Sequence, residues 1–119
     1  MKRQWKHYLL VLGCLLGATS NALGQGPTFT TIDYPGAATT TPWGINTRGD
    51  IVGQYVLGDV THGFLLSGGQ FSTIDFPGAT YTAATAINQR GDIVGRYTVD
   101  GVSRGYVLVG FRAPCLAGN

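Results

Sequence analysis

Few side chains in this sequence could carry acid–base or nucleophilic chemistry, and they lie far apart. His62 is the one histidine beyond residue 24, and no Gly-x-Ser-x-Gly motif presents a nucleophilic serine. A Ser–His–Asp site needs a histidine that takes the proton of its nucleophile and an acid that orients the histidine. At the position equivalent to His62 in the repeat described below, the chain has Arg104. We therefore predict that the protein is not an enzyme, and we interpret His62 as a residue of a turn or of the start of a strand.

The acidic residues include two repeated pairs, Asp33 with Asp75 and Asp50 with Asp92. Calcium needs several oxygen ligands from closely spaced positions, and structural zinc needs four ligands, mostly His and Cys. The sequence has neither pattern, and it also lacks a phosphate-binding glycine loop and a basic groove lined with aromatic residues. We therefore predict no metal, no cofactor and no nucleic acid partner. The carboxylates are expected to cap backbone groups of turns.

Two short motifs are typical of turns. Arg48-Gly49-Asp50 and Arg90-Gly91-Asp92 spell the tripeptide that integrins recognise, but a turn between two strands accounts for the glycine and leaves the charges in solvent. An Asn before the turn can hydrogen-bond the backbone two residues on, and Pro-Gly suits the dihedral angles of a type II turn. The residues predicted to form these turns are Pro35, Gly36, Asn46, Gly49, Asp50, Pro77, Gly78, Asn88, Gly91 and Asp92.

Trp43 and Tyr81 are aromatic residues that the repeat does not dictate, and both are placed in the first loop of their unit. Binding residues are disproportionately found on loops. These two residues are therefore the candidates for ligand binding, with carbohydrate as the ligand class. Other aromatic positions occur in both units, which favours packing: Tyr34 with Phe76, and Tyr55 with Tyr97.

These positions follow a repeat of 42 residues. Ile45–Tyr55 returns as Ile87–Tyr97, and the flanks align without a gap. A gapless period of this length indicates that one supersecondary unit has been copied. The predicted division is a leader at 25–28, repeat 1 at 29–70, repeat 2 at 71–110 and a C-terminal tail at 111–119.

Each unit contains four apolar segments bounded by Gly, Pro, Asn and Asp, which is typical of short strands joined by tight turns. A glycine in the middle of the third strand, Gly53 or Gly95, predicts that a neighbouring group comes close there. Four antiparallel strands in such a unit match the size of a β-propeller blade, and no helix is expected over residues 29–110. The predicted strands are 29–34, 41–46, 51–56 and 63–67, then 71–76, 83–88, 93–99 and 105–109.

The first 24 residues differ in composition from the repeats. Three basic residues precede an apolar segment at 8–18, and small residues allow cleavage before Gln25, as in a secretory signal peptide. An uncleaved membrane anchor and a lipoprotein signal ending before Cys14 are the alternatives. Cleavage leaves five basic and six acidic residues, a net charge of −1, so we predict no membrane contact of the mature chain. Cys115 is then an odd thiol, either paired between chains or unpaired in the tail.

The predicted fold is therefore all-β: two tandem four-stranded antiparallel repeats resembling propeller blades, preceded by a signal-peptide helix. A closed propeller needs about four or more blades, and repeats bury their apolar faces on neighbours, so two repeats leave the outer faces bare. Three outcomes are open: a small sandwich, a ring completed by several chains, or a truncated relic of a longer protein. We favour a two-blade sheet pair that self-associates through its exposed faces into dimers or trimers.

The first repeat carries Gly44-Ile45-Asn46-x-x-Gly49-x-Ile51-Val52-Gly53-x-Tyr55, followed by His62-Gly63-Phe64-Leu65. These residues resemble the bacterial "probable extracellular repeat" family, named after its His-Ala-Phe (HAF) motif, over nearly all of residues 29–110. Repeat 2 departs from the motif, with Ala86 for the glycine and Arg104-Gly105-Tyr106 for His-Ala/Gly-Phe. The resemblance implies export, to the periplasm or the outside of a bacterium, and a propeller-like β architecture. It implies no activity.

The sequence thus favours a non-catalytic secreted repeat module with a structural or protein-interaction role. A surface glycan-binding module that uses Trp43 and Tyr81 is the alternative. A truncated fragment of a larger β-propeller is the further alternative.

Overall fold

The computed structural model describes residues 26–111, and the regular structure in this range is entirely β. No helix lies within residues 26–111, which confirms the all-β prediction. The predicted signal peptide at 1–24 and Cys115 lie outside the described residues. The strands are β1 (Thr39–Ile45), β2 (Ile51–Leu57), β3 (Val60–Ser67), β4 (Gln70–Ile74), β5 (Tyr81–Ile87), β6 (Ile93–Val99) and β7 (Val102–Leu108).

The strands form one curled mixed sheet. β1, β2, β3 and β4 pair as an antiparallel meander, called the first meander below. β5, β6 and β7 form the second meander. A parallel bridge between Thr61 of β3 and Tyr81 of β5 joins the two, and β4 lies off the main path. The two repeats are therefore joined in one sheet, because β3 pairs with β4 along one part of its length and with β5 at another.

The predicted first strand, residues 29–34, is not a strand in the structure. Its counterpart one repeat later is β4, and β4 pairs with β3 of the preceding unit. Within the described range no earlier unit precedes residues 29–34, so this segment has no equivalent edge to pair with. The structural unit runs from β1 to β4, one strand out of phase with the predicted units. The second unit therefore has three strands in the described range instead of the predicted four.

β1 and β5 each contain a β-bulge at the same position of the repeat. The register with the neighbouring strand shifts across Trp43 in β1 and across Thr85 in β5. At the first bulge a β-carbon on Gly53 would lie 2.7 Å from the Cα atom of Pro42, and Gly95 meets β5 in the same way. A residue with a β-carbon cannot occupy these positions without displacing backbone. The predicted close approach at the mid-strand glycine is confirmed.

Two stacked aromatic pairs fasten the segments that precede β1 and β5. The rings of Tyr34 and Tyr55 are parallel within 4° with centroids 3.7 Å apart. The rings of Phe76 and Tyr97 are parallel within 2° with centroids 3.5 Å apart. The prediction that these repeated aromatic positions serve packing is confirmed.

The core lies between the two meanders. Val52 and Leu65 of the first meander are 0% and 6% exposed, and Ile93 of the second is 0% exposed. Because these side chains are buried in one cluster, the face of the first meander that carries Val52 packs on the face of the second meander that carries Ile93. The cluster consists of Val52, Leu65, Ile74, Ala84 and Ile93, with Ile87, Tyr106, Leu108 and Phe111 packed against it.

Candidate functional site

Trp43 lies within β1, at the bulge. This agrees with the predicted strand 41–46 and not with the placement of Trp43 in the first loop. A bulge re-aims the side chain of the extra residue, and the Trp43 side chain is 56% exposed. Its indole Nε1–H donates a hydrogen bond of 3.0 Å to the side-chain Oε1 of Gln54 on β2. The indole is therefore held by one polar contact and remains accessible to solvent.

Tyr81, the first residue of β5, also lies in a strand and not in the predicted loop. Its hydroxyl donates to the same Oε1 atom of Gln54 at 3.0 Å. The guanidinium of Arg96 lies 5.1 Å from the centroid of the Tyr81 ring and donates to the Tyr81 hydroxyl at 3.3 Å. The structure thus brings the two predicted ligand-binding residues together through one amide oxygen. We call Trp43, Gln54, Tyr81 and Arg96 the aromatic cluster.

The aromatic cluster combines apolar ring faces with hydrogen-bonding groups. Two residues come from each repeat, so the cluster exists only when the meanders are packed together. Rings beside amide and guanidinium groups suit a ligand that is flat and apolar on one side and rich in hydroxyls at its edge, such as a sugar. Sequence reasoning missed Gln54 and Arg96. The sequence could have indicated them, because the segments 51–55 and 93–97 differ at one position, which is Gln54 in the first repeat and Arg96 in the second.

His62 lies inside β3 and makes a side-chain contact with Asp75 that the sequence did not predict. Its Nδ1 atom is 2.8 Å and 2.9 Å from the two carboxylate oxygens of Asp75. The ring of Tyr55 stacks on the other side, with centroids 5.0 Å apart. The described hydrogen bonds of His62 are to Asp75 alone, an arrangement in which a carboxylate orients an imidazole ring.

The turn between β1 and β2 is organised by Asn46. Its Oδ1 atom accepts from the backbone N–H groups of Arg48 and Asp50, each at 3.0 Å. Its Nδ2 atom donates to the Asp50 carboxylate and to the backbone carbonyl of Asn88, again at 3.0 Å. Gly49 supplies the left-handed conformation, with φ +86°. Asn46 therefore closes its own turn and ties that turn to the second repeat.

The matching turn between β5 and β6 is held by fewer bonds. Asn88 accepts from the Asp92 N–H at 2.9 Å and donates to the Asp92 carboxylate at 3.2 Å. Gly91 has φ +90°. Arg90 is 84% exposed and pairs with Asp92 at 3.0 Å, a contact that contributes little because solvent screens it.

The carboxylate of Asp50 is enclosed by the turn. Burial raises its pKa, but hydrogen bonds from Ser67 and Asn46 and the charge of Arg48 outweigh burial and hold the pKa below its ordinary value. Ser67 donates at 2.7 Å, and the Asp50 side chain is 14% exposed. The Arg-Gly-Asp tripeptide of the first repeat therefore presents a carboxylate that is already engaged within the protein.

The Pro-Gly positions form matching turns. Gly36 and Gly78 have φ values of +82° and +80°, which residues with a β-carbon seldom adopt. The N–H of the following alanine donates across each turn, to the carbonyl of Tyr34 at 3.1 Å and of Phe76 at 3.0 Å. Pro35 and Pro77 stand at the second position of these turns.

The described residues line clefts near β7 and near the turns, and they hold no metal cluster. A mostly apolar cleft of about 360 Å³ lies between β4 and β7 and is lined in part by Phe76, Tyr106 and Leu108. A more polar cleft of about 440 Å³ lies beside the two Arg-Gly-Asp turns. No group of three or more His, Cys, Asp or Glu side chains could hold a metal ion in the range 26–111. Within that same range, no helix has the length and apolar character to cross a membrane.

Identical repeat positions are buried in the first meander and exposed in the second. Val52 is 0% exposed, but Val94, one repeat later, is 41% exposed. Leu65 is 6% exposed, but its counterpart Val107 is 66% exposed. Val94 and Val107 are directly opposite on β6 and β7. We call this pair the second open face.

The opposite asymmetry marks the other end of the sheet. Ile45 is 66% exposed, whereas its counterpart Ile87 packs against the core. Ile51 is partly exposed, whereas its counterpart Ile93 is 0% exposed. Ile45 pairs with Ile51, and Ile51 pairs with Leu66, so the three side chains share one side. We call them the first open face.

The chain matches no protein-family model, no curated protein and no solved structure in the three comparisons. The resemblance to the HAF family therefore stays a prediction that rests on the residues quoted above.

Proposed function

We propose that the protein is a non-catalytic secreted repeat module, a structural or protein-interaction unit completed by β units that pack on its two open faces. Its two meanders are taken as propeller-blade-like repeats of the HAF type. The first of them has four strands, and the second has three within residues 26–111. In this proposal the protein acts through packing surfaces and not through a reaction.

The observation that carries the proposal is the difference between equivalent valines. Val52 and Val94 share residue type, strand position and the flanking residues Ile and Gly, yet Val52 is buried in the core cluster and Val94 is 41% exposed. Their partners on the next strand, Leu65 and Val107, are both apolar. Stacked repeats bury their faces on neighbours, and terminal repeats normally carry polar caps. Val94 and Val107 are not polar, so the second open face is built like an internal interface. Contiguous exposed apolar side chains of this kind mark interaction surfaces.

Adding one repeat in phase tests whether the open face can accept a unit. A copy of residues 70–111 is inserted after Phe111, so that the period of the repeat continues. The new unit is expected to bury Val94 and Val107 and to raise the melting temperature, measured by circular dichroism. An unchanged or lower melting temperature would contradict the proposal.

A matched pair of chains separates specific packing from mere lengthening. Val94→Asp and Val107→Asp are introduced into the original chain and into the three-repeat chain. The charges are expected to be tolerated in the original chain, where both side chains are solvated. In the three-repeat chain they should abolish the gain, because burying an unpaired carboxylate is costly.

Export is the other part of the proposal. The basic start, the apolar segment at 8–18 and the small residues before Gln25 support cleavage by a signal peptidase. Expression of the full gene in a bacterium, followed by mass spectrometry of the periplasm and medium, tests it. A mature N-terminus at Gln25 is expected, and a chain that stays in the cytoplasm with its first 24 residues would contradict it.

A glycan-binding role is the second candidate, favoured by the convergence of Trp43 and Tyr81 on Gln54. The sequence has two tryptophans, so in a Trp5→Phe chain the fluorescence reports on Trp43 alone. Titration with a panel of soluble polysaccharides is expected to shift or quench this emission. Tyr81→Ala, which leaves the fluorophore in place, should weaken the response. No response across the panel would remove this candidate and leave the first one standing.

A further inference from the structure

β7 has an outer edge that is covered in its counterpart, β3. β3 pairs with β2 on one side and with β4 on the other, from Gly63 opposite Ile74 to Ser67 opposite Gln70. β7 pairs with β6 on one side, and none of the seven strands in residues 26–111 pairs with its other side. The segment 105–109 contains no charge and no proline, the usual devices that prevent strand addition. This edge is therefore a template for one more strand.

The matching strand is present at the other end of the described chain. Residues 28–32 occupy the same repeat positions as β4, yet they belong to no strand. Phe29 is 93% exposed, whereas its counterpart Phe71 is partly buried. Residues 28–32 thus have the sequence of β4 but pair with no strand, and β7 has an edge that no strand of residues 26–111 covers.

We propose that residues 28–32 of one copy of this chain add as an antiparallel strand to the free edge of β7 in a second copy. The inference rests on the proposed function and identifies the partner of the second open face. The pairing of β3 with β4 gives the register. Adding 42 to each β3 residue and subtracting 42 from each β4 residue gives the new pairing. Opposed residues are Ile32 with Gly105, Thr31 with Tyr106, Thr30 with Val107, Phe29 with Leu108, and Thr28 with Val109.

Side-chain contacts inside the first meander show how Phe29 would fit. The Phe71 ring meets the edge of the Phe64 ring with centroids 5.4 Å apart. In the proposed register Phe29 reaches Tyr106, which is the counterpart of Phe64. Tyr106 and Leu108 line the apolar cleft of about 360 Å³ beside β7. The exposed phenyl ring of one copy therefore has an apolar cleft of matching chemistry in the next.

The donor strand is assigned to a second copy because the donor segment and the acceptor edge belong to different ends of the described fold. Tyr34, two residues after the donor segment, is stacked on Tyr55 of β2 and so lies on the first meander. β1 and β7 are at opposite ends of the strand order. A chain whose donor is at one end and whose acceptor is at the other associates head to tail, which gives a ring if the rotation closes and a filament if it does not.

The chain's own residues 112–116 are the competing occupant. In the repeat they stand at the positions of β4, but Pro114 replaces Ser72 and Ala113 replaces Phe71. Proline removes a backbone donor from the middle of the strand, and alanine lacks the ring that contacts Phe64. Residues 28–32 keep Phe and the Thr-rich pattern of β4, so they are the better match to the edge.

The register is tested by cross-linking between two different chains. Cys14→Ser and Cys115→Ser are introduced first, and Thr30→Cys and Val107→Cys are then placed in separate full-length chains. Opposed residues of paired strands have β-carbons about 4.5–5.5 Å apart, within reach of a disulfide. Mixing the two chains under mild oxidation is expected to give a Thr30→Cys/Val107→Cys heterodimer, identified by mass spectrometry. The control replaces Thr30→Cys by Thr31→Cys, which points to the other face and should not cross-link.

A second measurement follows self-association without cysteines. Light scattering of the unmodified chain over a range of concentrations is expected to show masses above one copy. Phe29→Glu, at a side chain already in solvent, is expected to leave the melting temperature of the monomer unchanged. The same change should weaken association roughly tenfold or more, because the phenyl ring no longer leaves water in the complex.

The remaining outcomes of these experiments distinguish the inference from the proposed function. A monomer at all concentrations with no heterodimer overturns the inference, and the proposed function survives if the inserted repeat raises stability. If the chain does not self-associate and the inserted repeat does not raise stability, both the inference and the proposed function are contradicted. A heterodimer that appears only after deletion of residues 112–119 also overturns the inference, because the chain's own tail would then occupy the edge. Equal cross-linking of the Thr30→Cys and Thr31→Cys chains overturns the register.

Discussion

Gly53 and Gly95 are the residues on which the backbone of each meander depends most directly. A bulge in the neighbouring strand brings its carbonyl oxygen and Cα atom into the space of a side chain. The constraint comes from the backbone of the bulged strand on one side and from an aromatic side chain, Phe64 or Tyr106, on the other. A rotamer change of the aromatic residue would therefore not relieve the clash with the backbone. Gly105 lies in the same sheet without this constraint: its nearest neighbour would be the Gly95 carbonyl at 3.5 Å from a β-carbon.

Gly95→Ala and Gly53→Ala are therefore expected to destabilise the protein by about 3 kcal/mol or to prevent folding. In the first variant the new methyl group would lie 2.9 Å from the carbonyl carbon of Ala83 and 2.7 Å from the Tyr106 hydroxyl. Gly105→Ala is the matched control and is expected to change stability by no more than about 0.5 kcal/mol. Urea denaturation followed by circular dichroism measures all three. Equal tolerance at Gly95 and Gly105 would contradict the bulge geometry.

Tyr106 makes stability depend on pH at the alkaline end. Burial raises its pKa to about 12, and its hydroxyl donates to the Ala83 carbonyl at 2.9 Å. In the unfolded chain a tyrosine ionises near pH 10. Between about pH 10 and pH 12 the unfolded state therefore loses a proton that the folded state keeps, so stability falls as pH rises.

Tyr106→Phe is expected to reduce this alkaline loss of stability while costing about 1 kcal/mol near neutral pH for the lost hydrogen bond. Denaturation midpoints from pH 7 to pH 12 give the measurement. Tyr81→Phe is the comparison, because its hydroxyl bonds to Gln54 and to Arg96 and not to a backbone carbonyl. A Tyr106→Phe profile parallel to that of the unmodified protein over the whole range would show that this hydroxyl does not govern the alkaline slope.

At the scale of elements, the two Asn-x-x-Gly-Asp turns share a sequence pattern but differ in what they connect. Asn46 bonds within its turn and also to the carbonyl of Asn88, and the backbone N–H of Thr47 donates to Gln89 at 3.1 Å. The described bonds of the Asn88 side chain stay within its own turn. The first turn therefore joins the repeats, and the second would do so only with a further unit.

Asn46→Ala is expected to destabilise the protein by about 1 kcal/mol more than Asn88→Ala, because it removes the additional bond between repeats. Both variants lose the side-chain cap of a turn, and Asn46→Ala loses two further bonds, from the Arg48 N–H within the turn and to the Asn88 carbonyl of the other repeat. Thermal unfolding of the two variants and the unmodified chain provides the measurement. Equal losses would show that the bond to Asn88 contributes nothing in solution.

The turns and most of the strands could be predicted because they follow from local chemistry. Pro-Gly, Asn-x-x-Gly and alternating apolar residues constrain their own dihedral angles. The phase of the structural unit could not be predicted in the same way: residues 29–34 and β4 have nearly the same sequence, and only β4 has a strand beside it. Of the aromatic cluster, the sequence predicted Trp43 and Tyr81 as candidate ligand-binding residues. It did not predict their common partner Gln54, because that contact depends on how the two meanders pack.

At the scale of the whole molecule, stability resides in one interface between two copies of the same unit. Val52, Leu65 and Ile74 bury themselves only because Ala84 and Ile93 lie opposite. The equivalent apolar side chains on the two open faces, such as Ile45 and Val94, are exposed to solvent. A molecule of this kind resembles a short section of a stack, in which each unit contributes one interface and each end lacks one.

Val52→Ala and Val94→Ala measure that asymmetry directly. Val52→Ala removes two buried methyl groups and is expected to cost about 2–3 kcal/mol, including the cavity that remains. Val94→Ala removes the same atoms from a side chain that is 41% exposed, so at low concentration it is expected to cost about 1 kcal/mol or less. Each variant also loses the preference of valine for strands. This contribution to the change in stability is the same in the two variants and cancels in the comparison. At concentrations where copies associate, the cost of Val94→Ala should rise toward that of Val52→Ala, since the second open face is then covered. A cost for Val94→Ala that is small and independent of concentration would show that this face stays in water.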